Sequence, residues 1–206
     1  TDSLVGSEMC IRDRLDGSSK GITFFQWMIL GTLTLTSTLY AMSMTIANIA
    51  LPQLQGALGA TQDQIAWTVT FNIIGTAIVT PMTGWLTLRF GQRRLMLCAI
   101  FGFATSSILC GQANALPELV IYRVFQGAFG GPLVPLSQAI ILGVFPRRLH
   151  SFATAVWGMG VVCGPIIGPT VGGYISEAYS WRWIFYIIAP FSLCLLYTSP
   201  SPRDCQ

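Results

Sequence analysis

The sequence predicts an all-α membrane protein, and three observations predict it. Hydrophobic residues make up 52% of the 206 residues and charged residues 9%, against roughly 25% charged in an ordinary soluble domain. Several apolar runs are long enough for the roughly 20 residues that cross a bilayer as a helix. In one of them, WGMGVVCGPIIGPTVGGYIS from Trp157 to Ser176, Gly160, Gly164, Gly168 and Gly172 recur every fourth residue and form one bare ridge on a helix. This composition excludes a water-soluble globule. No basic block interleaved with aromatics points to nucleic acid, and no cysteine spacing resembles a metal site. Cys98, Cys110, Cys163 and Cys194 sit in apolar runs, where a thiol behaves as a small hydrophobe.

The two ends differ in composition from everything between them. Residues 1–14, TDSLVGSEMCIRDR, and 197–206, YTSPSPRDCQ, show no helical periodicity. They read as translated sequencing-adaptor sequence or as disordered tails, to be set aside in fold reasoning. Residues 15–23 read as a cytoplasmic N-terminal segment, and residues 24–196 hold all six predicted spans.

The first span runs from about Phe24 to Leu51, with Pro52 ending it. Thr32, Thr36, Tyr40, Met44 and Asn48 share one i+4 row, with Ser37 and Thr45 beside it. Hydroxyls in such a row can bond back to their own helix; its length over four turns favours a wall facing water. The second span covers about Ile65 to Leu88, with Asn72, Thr76, Thr80 and Gly84 in a row, and the short basic loop Arg89-Phe90-Gly91-Gln92-Arg93-Arg94 follows. The third span, about Leu95 to Gln112, is apolar nearly all round, which predicts a peripheral helix facing lipid.

Pro117 and Glu118 open the fourth span, which reaches about Val144. Arg123, Gly127, Gly131, Pro135, Ala139 and Gly143 lie on one row, with Gln126, Gly130 and Gln138 on the next. Arg123 is the charged side chain set clearly inside a span. Placing it there costs at least about 2.5 to 3.5 kcal/mol, so it should face a cavity or a partner; the alternative is a side chain that snorkels to the surface. A second basic loop, Pro146-Arg147-Arg148-Leu149-His150, precedes the fifth span at about Phe152 to Ile175; His150 reads there as a solvated loop residue. In the fifth span the glycine ridge allows a neighbouring helix to approach closely. Pro165 and Pro169 each remove a backbone donor, which predicts a kink. Glu177 to Arg182 leads into the sixth apolar run, Trp183 to Leu196, which is short of a full span.

Lys20, Arg89, Arg93, Arg94, Arg147 and Arg148 fall on one side of alternating spans and Arg182 on the other. The positive-inside rule makes that side cytoplasmic, together with the N-terminus of the bundle. A faint repeat adds to the pattern, since Gly84 and Arg93 are separated as Gly173 and Arg182 are.

GPIIGPTVGG, Gly164 to Gly173, followed by Trp181-Arg182-Trp183-Ile184-Phe185-Tyr186, resembles the antiporter motif of the fifth helix in major facilitator superfamily exporters of the EmrB/QacA type, which are multidrug:proton antiporters. Gly84 with Arg89, Gly91, Arg93 and Arg94 resembles the superfamily's loop motif Gly-x-Leu-x-Asp-Arg-x-Gly-x-Arg-Arg, with Leu88 where that pattern has Asp. Arg123-Val124-Phe125-Gln126-Gly127 resembles the fourth-helix motif Arg-x-x-Gln-Gly, whose Arg is associated with proton coupling. Met42 to Asn48 resembles the first-helix stretch Leu-Asp-x-Thr-Ile-Val/Ala-Asn, with Ser43 in place of the Asp, so this half carries no membrane carboxylate.

The resemblance implies the N-terminal six-helix half of the fold, its sixth helix truncated, built from two inverted triplets. It further implies export of small hydrophobic or amphiphilic compounds by alternating access, from the inner membrane, with no cofactor and no metal. Spans one and four would line the pathway, through Arg123, Gln126, Ser43, Thr45, Asn48 and Asn72. Span five, through Gly160, Gly164, Pro165, Gly168, Pro169, Gly172 and Gly173, would pack on the missing C-terminal half, and spans three and six would face lipid. A periplasmic adaptor protein is a further implied partner. A permease for another metabolite and a non-transporting membrane scaffold remain alternatives. An intramembrane enzyme is disfavoured, because the spans hold no paired acids and no nucleophile with a base.

Overall fold

A computed structural model describes residues 24–49, 51–186, 188 and 190. Its helices are α1 Phe24–Ile49, α2 Leu51–Leu58, α3 Gln62–Phe90, α4 Gln92–Gln112, α5 Leu116–Gly130, α6 Leu133–Val144 and α7 His150–Ala178, with a short 3-10 turn at Arg147–Leu149. Residues 181–186 open a further helix. Among the described residues five segments are long and apolar enough to cross a membrane, α5 and α6 counting together as Leu116–Val144. The chain is a multi-pass membrane protein. The tails at 1–14 and 197–206, and the sixth run beyond residue 190, lie outside the described residues.

The second span begins outside its apolar centre because its start is capped. At the start of α3 the Thr61 side chain accepts from the Gln64 backbone, and the Gln64 side chain accepts from the Thr61 N–H at 3.1 Å. That reciprocal pair satisfies two N-terminal donors and starts the helix three residues before Ile65. Gly91, at φ +81°, closes α3 and turns the chain into α4; glycine takes that left-handed backbone without a steric penalty. Pro52, expected to end the first span, instead lies in the first turn of α2, where a missing N–H breaks no helical bond. Between α5 and α6, Gly131 and Pro132 keep helical backbone angles, so the fourth span continues through the junction.

Two pairs of spans carry most of the packing, α1 on α7 and α3 on α5, with α4 laid along α5. The buried apolar side chains divide into two clusters. One, at the end of the basic loops, gathers Leu30, Leu33, Met96, Phe103, Ile141 and Trp157. The other, at the opposite end, gathers Ile46, Leu54, Ile65, Leu119, Ile184 and Phe185.

The third span departs from expectation. In its apolar window 56% of residues are buried, against 22% in the windows of α3 and α7. Leu95, Met96, Ala99, Ile100, Phe103 and Ser107 repeat at three- and four-residue spacing and face inward, while Phe101, Thr105 and Ile108 are exposed. An all-apolar helix hides its inner face from a sequence reading, because packing and lipid select the same side chains. Of the predicted sixth span, Ile184, Phe185 and Ile188 are buried and Trp183 is 54% exposed, while Trp181 in the segment leading to it is buried.

Candidate functional site

The site grows from the crossing of α3 and α5, where glycines remove the side chains that would hold the two backbones apart. A Cβ on Gly75 would fall 2.5 Å from the Val124 carbonyl oxygen, and one on Gly127 would run into the carbonyl of Asn72. The Asn72 side chain therefore reaches across and donates to the Arg123 carbonyl at 3.0 Å. Thr76 Oγ1 lies within bonding distance of the carbonyls of Asn72 (3.1 Å) and Gly127 (3.2 Å). With its one proton engaged there, it accepts from the Tyr40 hydroxyl at 3.1 Å. Thr80 continues the row against Gly131, so the polar row of the second span is the seam to the fourth.

Arg123 is 3% exposed, which excludes snorkelling. Its Nη1 donates to Gln126 Oε1 at 3.0 Å, and its guanidinium carbon lies 4.6 Å from the centre of the Phe185 ring. Gln126 Nε2 donates to Ser107 Oγ at 2.8 Å, and Cys110 Sγ approaches Gln126 Oε1 at 4.0 Å. The guanidinium is thus held by an amide and an aromatic face, with a thiol beside the amide. Asp63, Glu118 and Glu177, the acidic residues among those described, are all exposed. Two buried atoms of the cluster, Arg123 Nε and Asn72 Oδ1, have no hydrogen-bond partner among the described residues. Nothing in the sequence links Phe185, Ser107 or Cys110 to Arg123 and Gln126: each sits in an apolar run, and only the three-dimensional crossing brings Phe185 to Arg123 and Ser107 and Cys110 to Gln126.

The remaining residues of the expected pathway divide. Asn48 is exposed and, with Tyr40, Met44, Val69, Ile73 and Thr76, lines a cleft of about 290 Å³ between α1 and α3. Ser43 and Thr45 do not share it: Ser43 is buried and bonded to the Tyr40 carbonyl at 2.7 Å, and Thr45 bonds to the Met42 carbonyl at 2.9 Å. Thr32, Thr36 and Thr38 likewise bond back to their own helix. The long polar row of the first span is therefore mostly self-satisfied rather than a wetted wall.

The glycine ridge of α7 also lies elsewhere than expected. It packs on α1 of the same bundle. A Cβ on Gly164 would fall 2.7 Å from the Thr38 carbonyl oxygen and 3.2 Å from the Met42 nitrogen; one on Gly168 would fall 2.5 Å from Thr45 Oγ1, and one on Gly172 2.8 Å from Ile46 Cγ2. Gly160 sits against Thr34 in the same way. The reason is the bare ridge itself, which the closest available backbone fills. Gly173 stands apart, with open space around it, as does Gly84. Pro165 and Pro169 lie in an unbroken helix on its exposed side, near Val162, Ile166 and Ile167.

The two helix-joining loops are basic and exposed. Arg89, Arg93 and Arg94 all face outward, Arg89 over the Trp85 ring at 5.9 Å, and Leu88 is 89% exposed. His150, expected to be merely solvated, is half-buried and within 2.7 Å of the Phe145 carbonyl. At the other end Arg182 donates to Asn114 Oδ1 at 3.0 Å and lies over the Trp181 ring.

Comparison with known proteins bears on the family and the fold. The family pattern described as Major Facilitator Superfamily matches residues 33–204. The chain is 44% identical over 167 residues to the multidrug export protein EmrB of Haemophilus influenzae, covering 81% of this chain and 33% of that protein. It is 40% identical over 167 residues to the fatty acid resistance protein FarB of Neisseria gonorrhoeae, covering 81% and 33%. The chain thus spans about a third of the length of the curated relatives it matches. Among solved structures, a D-xylose-proton symporter superposes with a TM-score of 0.74 at 22% identity, over 86% of this chain and 49% of that one.

Proposed function

The chain belongs to the major facilitator superfamily, and from that premise we propose that it is the N-terminal portion of an exporter of hydrophobic or amphiphilic compounds working by proton-coupled antiport. The observation that carries this reading is the buried Arg123 of α5, whose guanidinium is held by neutral groups, the Gln126 amide and the Phe185 ring. A scaffold has no use for a charge that costs several kcal/mol to bury. An exporter gains from it a fixed positive charge beside its pathway. The names of the relatives, a multidrug exporter and a fatty acid resistance protein, support an amphiphilic cargo.

In this reading the cleft at Tyr40, Asn48 and Thr76 opens to the pathway, with Gln126 and Asn72 behind it. The exposed faces of α3 and α7, which carry Trp67, Phe71, Ile78, Val162 and Ile166, meet the remainder of the transporter. Gly160, Gly164, Gly168 and Gly172 hold the fifth span to the first, and alternating access moves the bundle as one body. Arg89, Gly91, Arg93 and Arg94 lie on the cytoplasmic side of an inner membrane, as does the N-terminus of the bundle. A periplasmic adaptor protein and the lipid bilayer complete the set of partners.

The test is transport by the full-length protein in liposomes under an imposed pH gradient. Uptake of a fluorescent amphiphilic cation that collapses with the gradient supports antiport. Gradient-dependent movement of a sugar, with none of the amphiphile, favours a metabolite permease instead.

A further inference from the structure

We propose that Ser107, on the third span, is a positioning residue that fixes which end of the Gln126 amide faces Arg123. A glutamine amide is nearly symmetrical in shape, and its two orientations differ only in where the oxygen and the nitrogen lie. Inside this cluster the difference is decisive. With the oxygen toward Arg123 the guanidinium gains a charge-assisted acceptor at 3.0 Å; with the nitrogen there, two donors would face each other in a medium that cannot solvate either.

Ser107 decides between them because of what its own proton does. Its hydroxyl donates to the Phe103 carbonyl, one turn back on α4, at 2.8 Å. Once that proton is committed, Ser107 Oγ offers only lone pairs, so the group it meets must be a donor. The Gln126 Nε2 meets it at 2.8 Å, which leaves Oε1 for Arg123. The bonds then run in one direction: Arg123 N–H to Gln126 oxygen, Gln126 N–H to Ser107 oxygen, Ser107 O–H to Phe103 carbonyl. Both side-chain residues of the relay are fully enclosed, Gln126 at 1% and Ser107 at 0% exposure, so water does not substitute for either partner. The Cys110 thiol points at the same oxygen from 4.0 Å and reinforces the acceptor orientation. Among the described residues Ser107 bonds to Phe103 and Gln126 and is not in the lining of the cleft, so it acts on Arg123 through Gln126. Its consequence for transport rests on the reading of Arg123 given above; the orientation itself does not.

The experiment uses the full-length protein with 15N-labelled glutamine, the Gln126 side-chain amide resonance being assigned by its loss in Gln126→Leu. Ser107→Ala should shift or broaden that resonance, and Ser107→Thr, whose hydroxyl makes the same bond one turn back, should restore it. Amphiphile efflux should fall about tenfold in Ser107→Ala, the scale of one charge-assisted hydrogen bond. In a Gln126→Leu background the same substitution should cost nothing further. An unchanged Gln126 resonance in Ser107→Ala overturns the proposal, as does an equal loss of efflux in the Gln126→Leu background. A shifted resonance with no gradient-driven efflux in the unsubstituted protein supports the positioning role and removes the transport reading instead.

Discussion

The guanidinium of Arg123 lies 4.6 Å from the centre of the Phe185 ring, and the two residues come from helices that the sequence separates by the whole fifth span. A desolvated cation over an aromatic face gains about 2 kcal/mol or more, and here the ring also closes the cluster. Phe185→Leu keeps most of the apolar volume and removes the quadrupole. It should lower the apparent stability of the purified full-length protein by about 2 kcal/mol, read by thermal unfolding in detergent. A midpoint unchanged from the wild type would remove the ring from the account of how the charge is tolerated.

Arg123 itself should not be replaceable by a smaller cation. Lys keeps the charge but offers a point donor on a flexible stem, without the planar fork that bonds to Gln126 while stacking on Phe185. Arg123→Ala should reduce proton-driven efflux at least about tenfold, the loss that follows from about 1.4 kcal/mol of lost coupling, and Arg123→Lys should be intermediate. Wild-type efflux by Arg123→Ala at matched expression would end the coupling reading.

The ridge on α7 makes a sharp contrast available within one helix. A Cβ on Gly164 would press on the α1 backbone, whereas one on Gly173 meets nothing within 4 Å. Gly164→Val should therefore cost about 3 kcal/mol of overpacking and reduce the amount of folded protein recovered from membranes. Gly173→Ala should be recovered at wild-type levels. Equal recovery of the two variants would mean that α1 does not occupy the ridge.

Orientation is tested by labelling single cysteines from outside intact cells. A cysteine at Asp63 should react with a membrane-impermeant maleimide and one at Arg93 should not, since both positions are exposed, Asp63 at the start of α3 and Arg93 just past its other end, in the first turn of α4. The reverse pattern would invert the topology.

The fold class and the five spans among the described residues were legible because the bilayer imposes length and composition directly, and no packing detail intervenes. Arg123 and Gln126 were legible for a related reason: a charge and an amide inside a span are costly enough to stand out. What surrounds them was not. Phe185 and Cys110 look like any lipid-facing residue of their helices, and Ser107 looks like any back-bonded serine. The partner of the glycine ridge was misread for the same cause. A bare stripe shows that a helix will be approached closely, but not by which neighbour, and α1 fills it here with the backbone of Thr38 and Met42. The hydroxyls of Thr32, Thr36 and Ser43, expected to meet water, turn instead to their own helix's carbonyls.

Those inward-turned hydroxyls bear on how the protein is made. Trp157 on α7 donates to Ser37 on α1 at 3.1 Å across 120 residues of chain, so α1 leaves the ribosome well before its main neighbour exists. Through that interval α1 has to sit in lipid without α7. Threonines and serines that bond to the preceding turn carry no open donor into the hydrocarbon, which lets the helix wait. The first and fifth spans then join after the second, third and fourth have been made, and assembly closes only when the fifth has been inserted. A substitution that ruins the ridge should accordingly surface in the cell as an early-span helix left unpaired, a target for membrane proteases, before any transporter has formed to be assayed.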